Sequence, residues 1–313
     1  MIGLILRRLV LIVPTVASVA VLIFGLLYLT PGDPAVIIAG DRASPEEVAQ
    51  LRVALALDAP VHQRFARWAG GVVSGDLGKS IYTQRPVTEL IASHLIPTAS
   101  LVVASLVLAC LIAVPFGVLV AHWQGSLLDR LLTVGTIAAF SVPIFVIGYV
   151  LAYIFGVWLR WLPVQGFVSP GQDVFEFIRH IILPSVSLSV VYAALILRTT
   201  RASMIETLNH DYIRTAHAKG LGINRILLLH GLKNSSVPVI TVIGIGFAAL
   251  IGGAVVTETV FAIPGVGRLT VDSILRRDYP VIQGVVLTFS GVFILVNLIV
   301  DISYSLLDPR VRQ

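Results

Sequence analysis

Six stretches of this chain contain no Asp, Glu, Lys or Arg and are each about long enough to cross a bilayer: residues 9–30, 97–121, 131–159, 181–197, 237–257 and 281–300. A helix needs about 20 apolar residues to span ~30 Å of hydrocarbon; five stretches reach that length, and 181–197 sits at the lower edge. The runs are apolar on every face, whereas barrel strands alternate apolar and polar residues, so helices are expected. Composition agrees. Hydrophobic residues make up 57% and charged residues only 12%, against about 25% charged in a soluble domain, and the mean hydropathy is +0.93. With one cysteine, Cys110, a disulfide scaffold is excluded.

The first run, preceded by Arg7 and Arg8, continues unbroken to Thr30. That exceeds the ~15 residues of a secretory apolar core, so it reads as a retained first helix. Lys and Arg near helix ends favour the cytoplasm. With both termini inside, the inner segments are net +7 and the outer ones net −1. Both termini of this multi-pass chain are therefore expected in the cytoplasm. The basic balance reflects topology and gives no warrant for nucleic-acid binding.

Two loops are long. The outer one, residues 31–96, is expected to fold in part. Ser44, Pro45, Glu46 and Glu47 read as a helix start, and a second short helix is expected over 61–73. Gly75-Asp-Leu-Gly-Lys-Ser80 has the end of a phosphate-binding loop, but the required Gly five places before Gly78 is Val73, so the motif fails. The cytoplasmic loop, 198–236, reads as helix, break, helix. Asn209 is the expected cap of a helix running from Asp211 to Ala218, Gly220 and Gly222 end it, and Asn224 caps the next. In that second helix Ile226, Leu227, Leu229 and Leu232 are expected on a buried side. Helices this short need something to pack on. Small Ala216 and Ala218 among the charges favour a protein partner over simple adhesion to the anionic leaflet.

At these residues the chain resembles the permease subunits of bacterial ABC importers, in the dipeptide, oligopeptide, nickel and glutathione branch. Residues 211–239, DYIRTAHAKGLGINRILLLHGLKNSSVPV, resemble that branch's form of the cytoplasmic EAA loop. TPGDPA (30–35), GDLGKS (75–80), ETVFAIPGVGRL (258–269) and DPRVR (308–312) match in order. The EAA pattern is only partly kept: Arg214, Thr215 and Ala216 occupy the three leading positions before Gly220, and Lys233 replaces the later Pro. The resemblance implies an all-α integral membrane protein of the ABC type I importer permease fold. Its expected parts are residues 1–30 (N-terminus and first helix), 31–96 (outer region), 97–307 (permease core with docking loop 198–236) and 308–313 (cytoplasmic tail).

By the same resemblance Asp211, Tyr212, Arg214, Thr215, Ala216, Lys219, Gly220, Leu221 and Gly222 dock an ATPase, and Glu258, Pro264, Gly265 and Gly267 form an outer gating region. Ser141, Tyr192, Thr241 and Asn297 are polar residues that could face the path. No catalytic residue is expected. The chain lacks a Walker A motif, so ATP and Mg belong to separate ATPase subunits and this chain holds no cofactor. Expected partners are a second related permease, one or two ATPases, an extracytoplasmic binding protein, lipid, and a peptide or related solute such as nickel or glutathione. The seven histidines form no His-x-x-x-His pattern, so no metal site is expected. The competing reading is an ion-coupled secondary transporter, which predicts paired charges or broken helices at mid-membrane.

Overall fold

A computed structural model describes residues 13–25, 35–36, 44–54 and 58–307. Most of TPGDPA, the DPRVR tail and the flanks of the first apolar run lie outside the described residues. Among the described residues the secondary structure is helical, with one isolated antiparallel bridge, Lys79 to Pro86. Helix α1 is Val13–Gly25. The two expected outer-loop helices follow as α2, Pro45–Ala54, and α3, Val61–Val73.

Four helices are long and apolar enough to cross a membrane. These are α4 (Val87–His122), α7 (Val174–Leu208), α10 (Ser236–Val260) and α12 (Tyr279–Leu307). The third apolar stretch is not one rod. It is α5 (Leu127–Ser141) and α6 (Ile144–Leu151), the latter continued by a π-helical segment, Ala152–Trp158. The two arms meet at 101°. Pro143 explains the break: its ring holds the residue before it out of the helical region, and Val142 is extended (φ −100°, ψ 123°). The six expected runs thus become four spanning helices and one bent pair among the described residues, together with the 13 described residues of α1.

The fourth run, 17 residues by sequence, is the middle of a 35-residue helix. Caps set its ends: Asp173 accepts from the backbone N–H of Phe175 (2.8 Å) and Glu176 (3.1 Å) at the start. At the far end α7 continues through Arg198 and Arg201 to Leu208, about three turns beyond its apolar section, at 3.6 residues per turn. It therefore carries polar side chains past the region that hydropathy marks.

The structure divides into two compact units, one built on Ile96–Arg268 with the chain from Leu295 on, the other on Ile2–Leu95 with Leu269–Ile294. In the first, α7 is the hub, packing on α5, α6 and α10. Leu101 and Ala109 of α4, Leu188, Tyr192 and Ile196 of α7, and Leu250 and Ala254 of α10 form its core. Small residues permit the close approaches: a Cβ on Gly246 would press on the Tyr192 ring, and one on Gly117 would collide with Thr200. Gly253 faces Leu188 in the same way.

The second unit explains GDLGKS without a phosphate. Asp76 accepts from the Gly78 N–H (2.8 Å), closing a tight turn, and the Ser80 hydroxyl donates to Asp278 (2.5 Å). Ile81 N–H donates to the other Asp278 oxygen (3.1 Å), so a buried carboxylate fastens this turn to the start of α12.

Candidate functional site

The loop expected to dock the ATPase is assembled from the end of α7 outward. Asn209 is the C-cap of α7, and His210 holds the N-cap position of α8, Asp211–Ala218, without a side-chain capping bond. Asn209 is thus not the cap the sequence suggests. Lys219 closes α8, and Gly220 follows with φ +77°, a left-handed turn that glycine adopts without a Cβ penalty. Asn224 lies within the short α9, Ile223–Arg225, and Gly222 occupies the N-cap position there. The next segment, Ile226–Leu232, is π-helical.

That π geometry changes which residues face inward. Ile226, Leu227 and Gly231 are buried, Leu229 is exposed, and Leu228 is exposed beside it. A five-residue repeat brings 226 and 231 to one face where a 3.6-residue repeat would bring 226 and 229. Ala216 is also turned inward: with Ile213 it packs on Ile226. Its small size serves packing inside this chain. The outward face of α8 is Asp211, Tyr212, Arg214 and Thr215, continued by Lys219, Gly220 and Gly222, with Leu221 half-buried. Asn234 donates to the Tyr212 hydroxyl (3.2 Å) and to the His230 carbonyl (2.8 Å), tying α8 to the π segment.

The loop rests on helix ends. Met204 of α7, wholly buried, lies among Val118 and Ala121 of α4 and Leu227 of the π segment. A Cβ on Gly231 would overlap the Met204 methyl, and the Ser235 hydroxyl lies 3.2 Å from the Met204 sulfur. One turn earlier, Arg201 makes a bidentate pair with Asp129 of α5: Nε to Oδ1 at 2.6 Å and Nη2 to Oδ2 at 2.8 Å. Asp129 also accepts from the Gly125 N–H (2.9 Å), and the Asp129 side chain is only 6% exposed. In the sequence Arg201 registers only as one of the positive-inside charges. The legible signal is Ser126, three residues before Asp129, the spacing of a capping box; the Asp129 N–H does donate to Ser126 Oγ (3.3 Å).

The residues expected to form the outer gate also come together. Glu258, in the last turn of α10, is fully buried. Its carboxylate accepts from Thr98 Oγ1 (2.6 Å) and from the Arg268 N–H (2.8 Å), while Thr98 Oγ1 in turn accepts from the Val266 N–H (2.8 Å). A Cβ on Gly265 or Gly267 would fall on that carboxylate, so both glycines are spatially required. Pro264 lies in the same turn but is exposed, and Ala262 there has φ +51°. Glu258 therefore holds the 261–268 turn onto α4.

The four polar residues offered for a path are not joined. Tyr192 is in the core, the Ser141 and Thr241 hydroxyls donate to carbonyls four residues back in their own helices, and Asn297 is exposed.

Long apolar helices with small-residue contacts, a bent pair of arms and a two-helix loop seated on the helix ends define a multi-pass integral membrane protein. Residues 113–313 match the family described as binding-protein-dependent transport system inner membrane component, and residues 1–102 match its N-terminal counterpart. The chain belongs to this family and is a multi-pass inner-membrane permease subunit of the ABC importer class. It is 50% identical over 98% of both chains to a probable peptide ABC transporter permease protein, y4tP, of Sinorhizobium fredii. It is 43% identical to the glutathione transport system permease protein GsiC of Salmonella paratyphi A, over 100% of this chain and 99% of that one, and 41% identical to GsiC of Escherichia coli K12. In fold it resembles a chain of the inward-facing MetNI methionine ABC transporter, with TM-score 0.58 at 17% identity over 70% of this chain and 96% of that one. The ion-coupled alternative is set aside by this membership.

Proposed function

We propose that this permease moves di- and oligopeptides, or a related small solute such as glutathione, into the cell, driven by ATP hydrolysed on separate subunits. The observation that carries the reading is end-to-end identity of 41–50% to permeases named for peptide or glutathione transport. ATP and Mg are held by one or two ATPase partners, and a second related permease completes the path. An extracytoplasmic binding protein delivers the solute. Both termini lie in the cytoplasm, in keeping with the charge distribution.

The ATPase docks on the outward face of α8 and the turn after it, from Asp211 to Gly222. Support comes from the way that face is offered: exposed and mixed in charge, on a base packed into α4 and α7. A ligand shifts a two-state equilibrium only through differential affinity, so ATP acts by favouring one arrangement of this docked base. The Glu258 turn is the corresponding outer element, a preformed structure against which the path opens and closes.

The test is co-purification from native membrane. Arg214→Glu combined with Lys219→Glu alters only exposed side chains, so the permease remains folded and inserted while the ATPase is lost from the complex. Full retention of the ATPase by this double variant would overturn the docking assignment.

A further inference from the structure

The end of α7 makes three contacts within about one turn, each to a different element. Thr200 presses on Gly117 of α4, Arg201 holds Asp129 of α5, and Met204 seats the π segment of the docking loop. The Arg201 contact differs in kind from the other two. It is bidentate, and its carboxylate is also bonded to the N–H of Gly125 in the α4–α5 connection. A planar guanidinium fork on a carboxylate fixes orientation as well as distance, which a packing contact does not. Beyond Asp129, α5 runs to the break at Val142 and Pro143, and α6 then packs back on α7 and α10.

We propose that the Asp129–Arg201 pair is the rigid link that makes α5 move with α7 and the docking loop when nucleotide reshapes the ATPase contact, leaving the Val142–Pro143 break to absorb the displacement. The pair acts as a positioning device for transport, and the inference rests on the docking reading above. A lone ion pair of this kind has no value for moving a helix if it opens during the cycle. The link must therefore keep the α5–α7 distance constant. Removing either charge leaves the other without its counterpart and frees α5 to lag behind α7.

The experiment uses the full complex in lipid nanodiscs. Cys110→Ala removes the native thiol, and spin labels are placed through Leu131→Cys on α5 and Glu206→Cys on α7, both exposed positions. The interlabel distance is read without nucleotide and with ADP–vanadate trapped on the ATPase. With Asp129 and Arg201 intact, the distance is the same in both states. In Asp129→Asn and in Arg201→Gln it shifts on trapping, and combining the two gives no larger shift than either alone, because each breaks the same link. Arg201→Lys keeps the charge but not the fork; if the other variants fail to assemble, it decides, with a shift on trapping supporting the link and an unchanged distance overturning it.

A distance that changes on trapping in the unaltered protein overturns the proposal, as does an identical response in the variants. Failure of the docking reading is separately visible, since it would leave the ATPase bound to the Arg214→Glu, Lys219→Glu double variant whatever the label distances show.

Discussion

Two buried carboxylates do work that a reading by charge alone assigns elsewhere. Glu258 and Asp278 each fasten a turn, and each is met by a hydroxyl from a residue 160 or 198 positions away, Thr98 and Ser80 respectively. Removing the Thr98 hydroxyl takes away a buried donor to the Glu258 carboxylate and a buried acceptor for the Val266 N–H. Thr98→Val is therefore expected to destabilise the protein by about 1–3 kcal/mol, the usual cost of an unsatisfied buried group. Ser80→Ala is expected to act likewise on the Asp278 turn. Gly265→Ala would drive a methyl into the Glu258 carboxyl, and overpacking of this kind costs about 1–3 kcal/mol. Thermal unfolding in detergent, followed by loss of helical circular dichroism, checks all three; a midpoint unchanged from the parent in Thr98→Val would show that the knot contributes nothing. Sequence reading could place Glu258 just before the 264–267 turn but not reveal its partners, because contacts at such separations leave no local pattern.

At the scale of elements, the docking loop shows how a sound local reading goes astray. Helix, glycine break and helix were all legible, and Gly220 does take the left-handed conformation. The π-helical pitch after Arg225 was not, since nothing in ILLLHGL distinguishes a five-residue repeat from an ordinary one. Leu229 is outside as a result, whereas Ala216, on the α-helical α8, is inside because it packs with Ile213 on Ile226. Ala216→Trp is accordingly expected to expel α8 from its seat on Ile226, exposing the loop to trypsin throughout. Gly220→Ala has open space for its methyl and bears only the left-handed backbone penalty of about 1–2 kcal/mol, so its loop stays protected. Limited proteolysis of the two variants separates these outcomes; equal protection would mean that Ala216 is not packed as described. The bend after α5 was equally readable in principle, because Pro143 and its effect on Val142 are local. It was hidden by treating a charge-free run as a single helix, and hydropathy measures polarity without measuring continuity.

For the whole molecule, the apolar runs located the spanning helices closely, since burial in lipid imposes a length and a polarity that few other folds share. What they could not show is the way α7 gathers α4, α5 and the docking loop at one end, because Asp129 and Arg201 are 72 residues apart. The loop proposed to dock the ATPase thus stands on the same helix that organises the membrane core. The central claim is that the chain imports peptide or glutathione with ATP as the energy source. It is tested most directly by reconstituting the complete complex, with its binding protein, in proteoliposomes whose ion gradients are collapsed by ionophores. ATP supplied on the ATPase side is expected to drive labelled trialanine or glutathione across against its gradient, and vanadate to stop it. Uptake that needs an ion gradient and proceeds without ATP would contradict the account.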